Sequence, residues 1–364
     1  MNLRYVPFVV IIANFAACTF VHAVPHEGTN HDRKPDNNTA RLLYQYPIGT
    51  WIENIAIRPN GNLLLTILSS SRLDQLDPFS NDPVPETVYN FPNATSVTGI
   101  AEIDHDVFTT AVGNFSLAGG GSTAGSWSVW KTDFSNGYGR AVVDKIVDLP
   151  DLTFPNGMCN LPSTRRKPED ILLGDIDTGR IWRLDPRTGS HDAVIKNSLT
   201  ATAANPIFGI VGVNGIHVRD HELYFTNTGQ ALFAKMPIHA DGTSAGSPRV
   251  VSYFSNSTQY ADDFALGHNG DDAFLVTGSG NSIERVGVDG VDEGKGRIVA
   301  GSVNSTRIAE PTACTFGRTE GDREVLYVVT AGGMASPVNG NEVVGGQVLA
   351  VDVRGWKRET KASR

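Results

Sequence analysis

Two acids and two amides stand out along the chain: Glu53, Asn156, Asn214 and Asp262. Each opens a short run that turns apolar and is followed by a second apolar run. Thr98 and Thr312 hold the equivalent place in two further copies. If the six starts converge, their side-chain oxygens make a ring of hard ligands suited to Ca²⁺ or a similar divalent cation, with waters completing the shell. The same groups could instead orient or protonate a small molecule. Taken singly, each is as readily a turn or strand-end cap; in register over four repeats they read as one site. Asp263 competes with Asp262, because a slip of one residue turns the other side chain toward the centre.

The runs that must position these residues recur six times, 45 to 58 residues apart. Glu53-Asn54-Ile55 precedes Leu63-Leu64-Leu65-Thr66, and Thr98-Gly99-Ile100 precedes Val107-Phe108-Thr109-Thr110. Asn156-Gly157-Met158 precedes Ile171-Leu172-Leu173-Gly174, and Asn214-Gly215-Ile216 precedes Leu223-Tyr224-Phe225-Thr226. Asp262-Asp263-Phe264 precedes Ala273-Phe274-Leu275-Val276, and Pro311-Thr312-Ala313 precedes Val325-Leu326-Tyr327-Val328. Short strands and Gly/Asn/Asp turns at this period predict an all-β fold, a six-bladed β-propeller over residues 40–355 with about four strands per blade. The last repeat ends at 346–353 without a fourth strand, while residues 40–47 form a strand without neighbours. The N-terminal strand is therefore expected to complete the last blade and remove the free edges of the ring.

A net charge of -9 argues against a nucleic-acid footprint, which needs a basic stripe. Residues 1–23 read as a secretory signal peptide, with Arg4, an apolar run, and Val21-His22-Ala23 as cleavage site; the run is too short and too broken by Pro7 and Asn14 for a membrane span. Residues 24–39 are a polar lead-in and 356–364 a basic tail. Five N-x-S/T sequons, at Asn37, Asn93, Asn114, Asn256 and Asn304, point with the signal peptide to a secreted glycoprotein. The mature chain keeps Cys159 and Cys314, an even pair for an oxidising compartment. They follow the starts of the third and sixth repeats. One expectation is a disulfide bridging the channel floor; the other is a pair of buried free thiols.

Other chemistries lack their residues. There is no G-x-S-x-G elbow and no Walker A loop. Gly119-Gly120-Gly121 lies in a Ser/Gly-rich stretch and reads as a loop. His217 and His221 have i, i+4 spacing, but on a strand and turn that spacing does not build a zinc pair; His217 stays open as a catalytic residue.

From about residue 40 to 355 the chain resembles the SMP-30/gluconolactonase-like six-bladed propellers. In that family a Glu, two Asn and an Asp bind a divalent metal that supports lactone hydrolysis. The matching positions are Glu53, Asn156 in Pro155-Asn156-Gly157, Asn214 in Asn214-Gly215-Ile216, and Asp262 in Asp262-Asp263-Phe264. Three departures follow: Phe154 stands where the sugar-lactone enzymes have Arg, Asp263 replaces a Gly, and Asn54 replaces another. A Phe facing the substrate disfavours a polyhydroxylated sugar, whose hydroxyls would be left unpaired. Trp51, Met158, Phe208 and Phe264, with the apolar loop 201–213, are placed around the same mouth. Each alone is as readily core, but together with Phe154 they suggest an apolar substrate pocket with a few oriented polar groups.

A narrower resemblance is to the secreted fungal branch of this family, carried by Trp51-Ile52-Glu53-Asn54, Arg58-Pro59-Asn60-Gly61, Asn214-Gly215-Ile216, Asp262-Asp263-Phe264-Ala265 and Phe316-Gly317-Arg318. That branch includes the cofactor-free hetero-Diels-Alderases of tropolonic sesquiterpenoid biosynthesis. The resemblance implies an enzyme joining a tropolone-type o-quinone methide to a humulene-type olefin, with small apolar polyketide and terpenoid substrates and no cofactor. Two alternatives stay open: a Ca²⁺-dependent lactonase acting on an apolar lactone through Glu53, Asn156, Asn214 and Asp262, and a propeller that binds a ligand without turnover.

Overall fold

The computed structural model describes residues 40–135, 140–162, 168–254, 259–289 and 296–356. The signal peptide and lead-in expected over 1–39, the tail from 357 onward and the sequons at Asn37 and Asn256 lie outside the described residues. Among the described residues six four-stranded antiparallel sheets form the blades of a propeller, five of them in simple up-and-down order and the last completed by the N-terminal strand. Their innermost strands are Ile52–Ile57, Ser96–Asp104, Pro155–Asn160, Val213–Arg219, Ala261–Leu266 and Pro311–Phe316. All six coincide with the repeat starts found in the sequence.

The ring closes as expected. The N-terminal strand Ala40–Gln45 pairs antiparallel with Gln347–Asp352 as the outer strand of the last blade, from Ala40 opposite Val351 to Gln45 opposite Gln347. The Tyr46 hydroxyl then donates to Asp74 of the first blade at 3.0 Å. First and last blades are thus joined by the same segment.

Each pair of neighbouring blades encloses its own apolar cluster. Leu64, Phe91 and Phe108 lie between blades one and two, and Trp127, Leu173 and Trp182 between blades two and three. The second strands supply most of this packing: Leu63–Ile67 and Asp272–Thr277 are buried along their whole length. Such strands are covered on both faces, so they read as continuous apolar runs, and burial at ~25 cal/mol per Å² is what holds the blades together. The third strand of the fourth blade, Leu232–Pro237, is less plain in the sequence, because Lys235 interrupts it to pair with Glu222 at 2.7 Å.

The expected disulfide is not formed. Cys159 and Cys314 are both free and buried. Cys159 packs among Leu172, Ile181 and Ile216 between blades three and four. Cys314 packs among Phe274, Val328 and Leu349 between blades five and six, its Sγ directed at Phe274 O at 3.3 Å. Each thiol belongs to a different inter-blade core rather than to the channel floor. Among the described residues no helix is long and apolar enough to cross a membrane.

Two small hairpins rise from the ring beside one mouth of the channel. Phe115–Ser116 pairs with Gly121–Ser122 inside blade two, and Ala203–Asn205 pairs with Gly209–Val211 ahead of blade four. The second hairpin is the apolar loop noted in the sequence.

Candidate active site

All six innermost strands break regular pairing at the same level. The register shifts fall between Ile52 and Asn54, Val97 and Ile100, Pro155 and Met158, Val213 and Ile216, Ala261 and Phe264, and Pro311 and Ala313. Each is a β-bulge enclosing one of the six repeat starts, and a bulge re-aims the side chain it carries. Threonines on the second strands satisfy backbone groups the bulges release: Thr66 Oγ1 accepts from Asn54 N and Thr226 Oγ1 from Gly215 N, both at 2.9 Å. The glycines beside the bulged amides have a steric reason. A Cβ on Gly157 would lie 2.1 Å from Asn214 O, and one on Gly215 would lie 2.2 Å from Asp263 Oδ1. Only a bare backbone lets these strands approach so closely near the axis.

The bulges bring Glu53, Asn156, Asn214 and Asp262 into the floor of one cavity. Asn156 Nδ2 donates to Glu53 Oε1 at 2.7 Å, and Asn214 Nδ2 donates to Asp262 Oδ1 at 2.6 Å. Trp51 Nε1 donates to the other Glu53 oxygen at 2.5 Å. The two threonines of the ring are turned to the backbone instead: Thr98 Oγ1 donates to Pro155 O at 2.6 Å and Thr312 Oγ1 to Ile52 O at 2.7 Å. They tie neighbouring blades together. Between the paired aspartates, Asp262 is the one in the cavity. Asp263 faces His217 Nε2 at 2.9 Å, and both lie outside the cavity lining, as does His221.

The cavity measures about 310 Å³. Its walls carry apolar side chains, Trp51, Leu68, Phe115, Phe154, Ile207 and Phe208 among them, beside the polar Ser122, Asp177 and Thr228. Phe154 is the middle ring of a stack, 5.1 Å from Phe115 and 5.5 Å from Trp127. Asp175 holds it there by accepting from Thr153 N at 3.1 Å and Phe154 N at 3.0 Å. Ser122 pins the first hairpin against the same segment, donating to Thr153 O while accepting from Trp127 Nε1.

Two residues expected at the pocket lie elsewhere. Met158 is buried between blades two and three, with Thr109 Oγ1 3.5 Å from its sulfur. Phe264 is buried between blades four and five against Phe233. Both follow a bulge, so the alternation that would have carried them inward is reset by the extra residue.

Burial governs the acids. The Glu53 carboxyl is pushed up to about 7, chiefly by desolvation, although its hydrogen bonds to Asn156 and Trp51 pull the other way. Asp262 is held well above the usual carboxylate range, first by burial and then by the charge of Glu53. Two carboxyls in one desolvated floor do not both ionise at neutral pH, so the set retains a proton there. An acid the sequence reading missed lies behind it. Glu310 is fully buried, accepts from Tyr260 Oη at 3.1 Å and Ala335 N at 3.0 Å, and is pushed up to about 7 by burial. It anchors a segment whose Met334 and Ala335 join Trp51, Leu68 and Phe208 in the apolar cluster over the mouth.

As a cation cage the set fits poorly. Both Glu53 oxygens accept N–H donors, and both amide nitrogens are turned to the carboxyls. Among the described residues no group of three or more His, Cys, Asp and Glu is placed to hold a metal ion. Both Glu53 oxygens and Asp262 Oδ1 are taken by internal donors, whereas Ca²⁺ asks for six to eight oxygens turned toward it. Among the oxygens left over, Asn214 Oδ1 is buried and has no partner.

A further acid also escaped the sequence reading. Asp177 lines the cavity and is half-buried. Its setting, Asp175-Ile176-Asp177-Thr178-Gly179, carries only the signal of a turn. Phe115 and Leu68 gave no signal either, because they come from segments outside the repeat starts, whereas Trp51, Phe154 and Phe208 line the cavity as expected.

No family model matches the chain. A candidate hetero-Diels-Alderase of Phoma sp is 30% identical over 321 residues, covering 81% of this chain and 88% of that protein. A second, of Sarocladium schorii, is 28% identical over 353 residues, covering 88% and 85%. Among solved structures, a luciferin-regenerating enzyme superposes with a TM-score of 0.59 at 13% identity, covering 87% of this chain and 95% of the other. Regucalcin, a calcium-binding protein of Agrobacterium tumefaciens, gives 0.56 at 15% identity, covering 86% and 92%. At these identities the likeness is one of fold, the propeller of the SMP-30/gluconolactonase kind. The sequence kinship over most of both chains is what places the protein: it belongs to the fungal hetero-Diels-Alderase family.

Proposed function

We propose that this chain is a cofactor-free hetero-Diels-Alderase of fungal secondary metabolism, joining a tropolone-type o-quinone methide to a humulene-type sesquiterpene olefin. The observation that carries this reading is a cavity with aromatic and aliphatic side chains in its walls, floored by an acid–amide set that retains a proton at neutral pH. A cycloaddition needs no nucleophile. One C–C and one C–O bond form together, and the protein's part is to hold two apolar partners in a near-attack arrangement, which can supply several kcal/mol. Phe115, held by its stack on Phe154, offers a flat face for a planar heterodiene, and Phe154 meets the cavity beside it. The protonated floor offers a donor to the heterodiene carbonyl, where electron density rises in the transition state.

The same floor can serve formation of the heterodiene from a precursor alcohol. A protonated carboxyl, Glu53 or Asp262, hands its proton to the departing hydroxyl and water leaves. The family kinship supports enzymatic activity; the choice of substrates rests on the resemblance and on the apolar wall. We further propose that the protein acts after secretion. The sequons Asn93 and Asn304 are exposed and Asn114 is half-exposed, open to glycosylation.

The test is to incubate purified protein with the precursor alcohol and the olefin and resolve the adducts by chiral chromatography. Faster adduct formation with one stereoisomer dominant is the expected result. Adduct at the uncatalysed rate and ratio would sink the reading, and release of a hydroxy acid from an apolar lactone would put a hydrolase in its place.

A further inference from the structure

The cavity holds two groups that the acid–amide floor does not account for. One is Asn214 Oδ1, buried and without a partner. Its orientation is fixed: Thr228 Oγ1 gives its proton to Ala261 O and can only accept, so Asn214 Nδ2 must face Thr228 and Asp262. The other is the Asp177 carboxylate, which lines the wall with no hydrogen bond contributing to its titration, only burial and the charge of Asp175. Its neighbour two residues back shows the contrast, since both Asp175 oxygens are used to hold the Thr153–Phe154 backbone. The half-buried carboxylate has lost part of its hydration without gaining a partner, and the amide oxygen left unpaired in the floor is costly.

Both groups are acceptors, and both call for O–H donors on the ligand. A quinone methide has none at its reacting centre, whereas its precursor alcohol has two, the ring hydroxyl and the hydroxyl that departs. We propose that Asp177 is a further catalytic residue, the general base that takes the ring-hydroxyl proton as the precursor loses water, while Asn214 Oδ1 accepts from a hydroxyl and orients it. The assignment rests on the cycloaddition reading above. The step balances without an oxidant. The O–H electron pair of the ring hydroxyl becomes the carbonyl, the C–O bond of the departing hydroxyl breaks, and the floor carboxyl supplies the proton that completes water. Asp177 is half-buried, so it returns its proton to solvent at the mouth, and its pKa, held up at about 6 by burial, suits a base working near neutral pH.

The experiment compares two substrates in wild type, Asp177→Asn and Asp177→Glu. One is the precursor alcohol with the olefin; the other is a heterodiene released by light from a caged precursor, with the same olefin. The expected result is a loss on the order of 100-fold in kcat for Asp177→Asn on the alcohol, partial recovery in Asp177→Glu, and a loss at least about tenfold smaller for both variants on the released heterodiene. That last arm also reports that the variants are folded. Equal rates on the alcohol in wild type and Asp177→Asn would overturn the assignment, and so would an equal loss on both substrates. A wild-type protein that accelerates neither reaction would overturn the cycloaddition reading itself, and the assignment with it.

Discussion

Asn156 on blade three donates to Glu53 on blade one at 2.7 Å, passing over the bulge of blade two. The contact is possible because Thr98, the blade-two residue at that level, is turned to Pro155 O rather than into the channel. Asn214 and Asp262 make the matching contact between blades four and five. The floor is thus two amide-to-carboxyl pairs, with the Trp51 indole closing the last oxygen of Glu53.

The indole bond sets a pH dependence. Trp51 stabilises the ionised form of Glu53, so its removal raises the pKa further. If the proton on the floor does the work, turnover in the wild type falls as pH rises through about 7. In Trp51→Phe the same fall moves to higher pH, by about one unit. A pH–rate profile of the two proteins checks this, and an unmoved limb would count against Glu53 as the acid.

Stability should run in the same direction. Glu53 and Glu310 each rise from an ordinary 4.5 to about 7 on folding. The native chain therefore holds protons that the unfolded chain releases. The stability these groups contribute is fully present below about 4.5 and is lost as pH rises through about 7. Melting temperature is expected to be higher at pH 5 than at pH 8, and Glu53→Gln to flatten part of that slope, by a difference on the order of 3 kcal/mol at most.

Phe154 is expected to govern selectivity more than rate. Phe154→Leu keeps the volume roughly but removes the face stacked between Phe115 and Trp127. A loss of about 1 kcal/mol in facial preference would lower the stereoisomer ratio several-fold. Chiral analysis of the adducts, with the rate followed in parallel, separates the two effects.

Metal removal is expected to change nothing. Both Glu53 oxygens and Asp262 Oδ1 accept from internal donors, so exhaustive chelation should leave adduct formation and melting temperature unaltered. A chelator-sensitive activity restored by Ca²⁺ would contradict the arrangement of the floor.

The free state of the two cysteines is directly testable. Cys159 and Cys314 are free, and burial raises both thiols above their ordinary range. Alkylating reagent should find neither in the native mature protein and both after unfolding without reductant. A disulfide-linked peptide in non-reducing mass spectrometry would overturn it.

The sequence by itself determined the ring. Six polar starts before six apolar strands fixed the number of blades, and a last repeat short of one strand fixed how residues 40–45 would close it, because a free edge must be covered. The same repeats put Glu53, Asn156, Asn214 and Asp262 at one level. The tertiary structure alone decided which way each side chain points there. At every start a bulge interrupts the period of two, so Asp262 faces the cavity and Asp263 does not, and Met158 and Phe264 turn back into the blades. The walls were read in part: Trp51, Phe154 and Phe208 line the cavity as expected, but Phe115 and Asp177 come from segments outside the repeat starts, and only closure of the ring brings them to the same mouth. The cysteine pair fails for the same reason: equivalent places in two repeats are equivalent heights on the ring, and on a ring equal height does not make two residues neighbours.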